Sequence, residues 1–143
     1  MAQDRADFSI IVSDSERAAK AAFDRGDFLQ SFLLIHALIE ALLRSFLHKQ
    51  NDPKMTFDQL IKSYHLFLDG QKYPNAQFVG ELTTFSQRRN RIIHELWTKG
   101  YSATNLKAEQ AASVAITVYS LFIEWLSTFD PEILQSGFSY DDA

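Results

Sequence analysis

Three kinds of side chain able to handle a phosphate ester stand together in Arg89-Asn90-Arg91-Ile92-Ile93-His94. Histidine takes and gives a proton near neutral pH, guanidinium is a permanent cation with a rigid fork of donors, and a carboxamide both donates and accepts. On a helical wheel Asn90 and His94 are i, i+4 neighbours at the boundary between core and solvent. Arg89 falls instead within an apolar stripe of Phe78, Leu82, Phe85, Ile92 and Leu96. An unpaired charge there is costly, so Arg89 has to meet a carboxylate, a phosphate or a partner chain. Glu40, at the edge of an earlier helix's apolar face and one turn after His36, is the internal carboxylate that the spacing offers. An Arg89–Glu40 ion pair is therefore the structural expectation, one that still leaves the guanidinium held in position for an anion. Arg89 and His94 lie about 140° apart on an ideal wheel, so their joint action requires the reach of the arginine, a local distortion or a second subunit.

The rest of the chain offers less chemistry. His36 faces the core, where a bond to Glu40 or to a carbonyl is expected, with lining of a cleft as the alternative; His48 and His65 read as solvated or loop-packed. No two histidines stand at i, i+4, and cysteine is absent, which removes thiolate nucleophiles, disulfides and cysteine-based zinc sites. No metal site and no cofactor is indicated: glycines are scattered singly, without a phosphate-cradling loop. Trp97, Tyr101 and Trp125 could stack a base, but their helical spacing equally suits a core. Charge is uneven. The chain carries a net −4, which excludes a protein that coats nucleic acid by bulk electrostatics. Between Arg88 and Lys107, however, Arg88, Arg89, Arg91, Lys99 and Lys107 face only Glu95, a local cationic patch suited to one phosphate group, a nucleotide or a short RNA.

These residues need helices to position them. Helical periodicity dominates the 143 residues and no sustained period-two alternation occurs, so the expected fold is all-α: an antiparallel bundle of about five helices forming a single domain over residues 1–130. The spacing predicts helices from about Ser13 to Arg25, Asp27 to Lys49, Thr56 to Gly70, Asn75 to Lys99 and Asn105 to Thr128, with consecutive members antiparallel. Residues 131–143 read as an acidic, loosely held tail. The longest apolar run, Phe32 to Leu47, is interrupted by His36, Glu40 and Arg44, so membrane insertion is not expected; with no secretory signal legible before Asp7, the expected location is the cytoplasm.

Arg89-Asn90-x-x-x-His94 on a late helix of a short all-α chain resembles the R-N-x-x-x-H signature of the HEPN superfamily, and the apolar helix containing Leu34-Ile35-His36-Ala37-Leu38-Ile39-Glu40 is similar too. The resemblance implies a metal-independent endoribonuclease of toxin or defence type. Its cleft would lie at a two-fold homodimer interface, with Arg89 and His94 of both copies catalytic and Asn90, Arg88, Arg91, Glu40 and His36 in support. It also implies a cognate antitoxin as a partner. The position two residues after the motif histidine is Leu96, where some toxin members carry a tyrosine used in neutralising modification. The superfamily also contains non-catalytic modules that bind RNA or nucleotide or only dimerise, and that is the alternative reading. A helical bundle with a purely structural role in a larger complex is the third.

Overall fold

Phe32, Ile35, Ile39, Leu42 and Leu43 recur at the spacing that places them on one face of a helix, and all five are withdrawn completely from solvent. That helix is the axis of the molecule. The computed structural model describes residues 2–50, 52–72 and 77–139, with side chains from Phe8 onward. Among the described residues there are six helices and no strand: α1 (Ala2–Asp24), α2 (Phe28–Phe46), α3 (Phe57–Gly70), α4 (Val79–Lys99), α5 (Tyr101–Ser127) and α6 (Glu132–Gln135). The all-α bundle expected from the periodicity is thus the fold observed.

By length and composition α2 is apolar enough to cross a membrane. In the fold its apolar side chains are spent on neighbouring helices, chiefly α1 and α5. Ser31 in α2 donates to the carbonyl of Ala19 in α1 at 2.9 Å, which marks an antiparallel hairpin.

The connection after α2 departs from the expected antiparallel order. His36 packs on Phe57, whereas Phe46, ten residues later, packs on Phe67, so α2 and α3 run in the same general direction. The chain therefore turns back along α2 before α3 begins. Arg44 pins that return: its Nε donates to Glu40 at 3.1 Å and its Nη atoms donate to the carbonyls of Lys49, Asp52 and Met55. A capping box then starts α3, with Thr56 Oγ1 accepting from the Gln59 N–H and Gln59 Oε1 accepting from the Thr56 N–H.

Antiparallel pairing returns between α3 and α4, where Tyr64 donates to the Gln77 carbonyl at 2.7 Å and Ser86 donates to Asp58 at 2.9 Å. Gly100 alone separates α4 from α5; its φ of +86° is open to glycine but strained for other residues, and it permits the tight reversal. α5 starts four residues earlier than the sequence suggested, because Gly100 supplies the break. Asn105, expected to open α5, lies inside it and ties it to α2, accepting from the Leu29 N–H and donating to the Gly26 carbonyl, each at 2.9 Å. α1 likewise begins well before Ser13. Part of the fourth expected helix, residues 75 and 76, lies outside the described residues; α4 opens at Val79, preceded by Phe78 at a left-handed φ of 68°.

The segment after Pro131 packs rather than trailing away. Ile133 and Phe138 are buried, and the Phe138 ring meets Phe8 edge-on. Gly137, at φ +101°, lies so close to α1 that a Cβ would stand 2.8 Å from Ser9 Oγ. Buried Glu16 completes this attachment, accepting from Tyr119 Oη at 2.7 Å and from the Ser139 N–H at 3.1 Å. Residues 140–143 of the expected tail lie outside the described residues.

Candidate functional site

The α3–α4 pairing decides what the motif can do. Asp58 lies level with Ser86, so α3 begins where α4 is little more than a third of the way along its length. Beyond Ser86, α4 runs on for about three and a half turns with its α3-facing side uncovered. Arg89, Asn90 and His94 all lie on this overhang, and all three are exposed.

Arg89 is therefore not the buried cation that the wheel placed among Phe85, Ile92 and Leu96. Its stripe is buried at Leu82, Phe85 and Ile92, but the helix that would roof position 89 has already ended. Nor does it pair with Glu40, whose carboxylate is engaged by Arg44. The one hydrogen bond of Arg89 among the described residues is a long one, 3.5 Å, to Asn90 Oδ1. Arg89→Ala should consequently leave the stability of the chain within about 0.5 kcal/mol of the parent. Arg44→Ala, which strips three carbonyls and Glu40 of a partly buried donor, should cost about 1–2 kcal/mol; chemical denaturation of the two variants checks the contrast.

His36 also departs from expectation. It is buried, and its Nε2 has no hydrogen-bond partner in place of the expected bond to Glu40 or a carbonyl. Its ring stacks on Phe85 at 5.1 Å and tilts against Phe57 at 4.8 Å. Burial pushes its pKa down to about 4, the Arg89 charge adds to the lowering, and Glu40 opposes it. The His36 imidazole thus feels the charges of Arg89 and Glu40 without a hydrogen bond from its Nε2 to either. A neutral, apolar-caged imidazole of this kind holds position better than it carries protons.

His94 faces solvent with its ring edge-on to Trp97 at 5.5 Å, and no contact joins it to Arg89 among the described residues. Ile93 is 38% exposed and Trp97 75%, so apolar surface lies beside the polar motif on the uncovered strip. Arg88 and Arg91 point another way. With Lys107 and Gln110 of α5 they line a groove between α4 and α5. Lys107 took no part in the motif; its place among the sequence cations was visible, but its convergence with Arg88 and Arg91 depends on the α4–α5 hairpin. Among the described residues no group of His, Asp and Glu is gathered so as to hold a metal ion. Comparison of the chain with protein-family models, with curated proteins and with solved structures finds no match.

Proposed function

We propose that the chain is a metal-independent endoribonuclease of the HEPN type whose cleft assembles when two copies meet across the uncovered half of α4. The observation that carries this reading is the overhang itself: Arg89, Asn90 and His94 lie exposed beside Ile93 and Trp97, on a surface where one copy supplies no covering helix. Exposed apolar side chains flanking a polar motif suit a self-complementary interface.

In such a dimer one His94 removes the proton from a ribose 2′-OH, whose oxygen attacks the adjacent phosphorus. The bond from phosphorus to the 5′-oxygen breaks, and the second His94 protonates that leaving oxygen. The two Arg89 guanidiniums offset the charge of the crowded phosphorane. Products are a 2′,3′-cyclic phosphate and a 5′-hydroxyl. As a toxin or defence component, the enzyme would act in the cytoplasm and be held in check by a cognate antitoxin.

The separation of Arg89 from His94 within one chain favours a second reading, a non-catalytic module that binds RNA or nucleotide or only dimerises. Incubation of the purified protein with an RNA pool and its deoxy equivalent separates the two. Cleavage of RNA alone, undiminished by chelator and ending in the cyclic phosphate, is expected. Metal-dependent cutting or equal cutting of DNA would defeat the mechanism, and complete inactivity would leave the binding module.

A further inference from the structure

The reverse side of α4 carries a second concavity with its own electrostatics. Arg88 and Arg91 on α4 and Lys107 on α5 converge on a groove of about 220 Å³, with Gln110 beside them, Ile92 and Ala111 as its floor and Glu95 on its wall. This volume is several times the roughly 30 Å³ of a liquid water, so a polyatomic group fits. Arg91 lies about 160° around the helix from Arg89, so the groove is separate from the Arg89 strip.

Three cations facing one concavity repel one another, and the single carboxylate on its wall, Glu95, leaves an excess of positive charge there. Among the described residues none of Arg88, Arg91 and Lys107 makes an ion pair or a side-chain hydrogen bond, even to Glu95. An anion is what relieves the repulsion. Two guanidiniums at i, i+3 and an ammonium from the opposite helix match a group whose charge is spread over several oxygens, whereas a single carboxylate answers only one of the forks. Arg88, half-buried, also borders an adjoining depression of about 290 Å³ walled by Phe85, Val114 and Val118 with Glu81 and Thr84 beside them, a partly apolar neighbour for whatever carries the anion.

We infer that the α4–α5 groove is a phosphate-binding site, formed by Arg88, Arg91 and Lys107, that takes the phosphate of a polynucleotide or of a mononucleotide. The site stands independently of the ribonuclease reading, since it needs neither His94 nor a 2′-hydroxyl.

A fluorescein-labelled single-stranded deoxyoligonucleotide, which the proposed cleavage cannot consume, is titrated with the full-length chain by polarisation across a range of salt. Contact by three cations predicts a log–log salt slope of about −2, or roughly a 20-fold loss of affinity between 50 and 200 mM salt. The exposed-site variants Arg91→Gln and Lys107→Gln should each make that slope shallower by about 0.7, with Arg17→Gln, an exposed cation of α1 outside the groove, leaving it unchanged. Circular dichroism verifies that the variants are folded. Adenosine monophosphate is the second arm: competition shows that one phosphate group suffices, and failure to compete while the oligonucleotide binds assigns the site to a polynucleotide backbone. Three results overturn the inference: no binding of either probe, binding indifferent to Arg91→Gln and Lys107→Gln, or displacement of the oligonucleotide by polyglutamate at equal charge concentration. Because the probe is DNA, these failures stay distinct from an absence of RNA cleavage.

Discussion

His94→Ala is expected to lower RNA cleavage by roughly 10²–10⁴-fold while leaving the fold intact, because loss of a positioned proton carrier removes general acid–base catalysis. The ring is exposed and its contact is an edge-on approach to Trp97, so its removal should change stability by no more than about 0.5 kcal/mol. In a composite site each dimer needs both histidines, one as base and one as acid. Mixed dimers of parent and His94→Ala subunits should then be as inactive as the homodimeric variant, and dilution of active enzyme with excess variant should depress turnover beyond the loss of parent subunits. Cyclic-phosphate release from a labelled RNA, followed with sedimentation to establish the dimer, gives the measurement. Half-activity in the mixed species, or full activity in a monomer, would be incompatible with a cleft shared between two copies.

His36→Phe is expected to stabilise the chain in mild acid and to have much less effect above neutrality. The folded protein holds this imidazole at a pKa of about 4 against an ordinary 6.5, so between those values the unfolded chain binds more protons than the folded one. Stability contributed by the neutral ring is therefore complete above about 6.5 and is lost as the pH falls toward 4. The whole gap corresponds to at most about 3 kcal/mol, of which about 2 kcal/mol has been lost near pH 5. Phenylalanine keeps a ring against Phe85 and Phe57, removes the unpartnered Nε2 and does not titrate. The melting temperature of the variant should exceed the parent's near pH 5 by on the order of 5 °C more than it does near pH 8. Glu40 and Arg89 supply the charges felt at this site, and Glu16, raised by its own burial, titrates in the opposite sense in parent and variant alike. The difference between the two proteins thus isolates His36. An offset that does not change with pH would show that the ring is not held neutral.

The sequence by itself determined the helices and the core, because both follow from local periodicity. The buried face of α2 through Phe32, Ile35, Ile39 and Leu43 was legible, as were the breaks near Gly26, Pro53 and Gly100. The motif positions Arg89, Asn90 and His94 were legible as residue types on one late helix. What those side chains meet was not. A helical wheel treats every position as though a neighbour ran along the whole helix, but Arg44 pins the chain's return after α2, and α3 starts level with Ser86, little more than a third of the way along α4. That single register leaves Arg89 in solvent instead of in the core. Glu40 joins Arg44, four residues along its own helix, leaving His36 caged by Phe57 and Phe85. The hairpin at Gly100 similarly brings Lys107 to Arg88 and Arg91, although nothing in their spacing indicates a shared groove. Periodicity specifies which face of a helix is apolar; how far along its length that face is covered depends on where the neighbouring helix begins, and in this chain the hydrogen bonds of half-buried Arg44 to the loop that follows α2 hold that start in place.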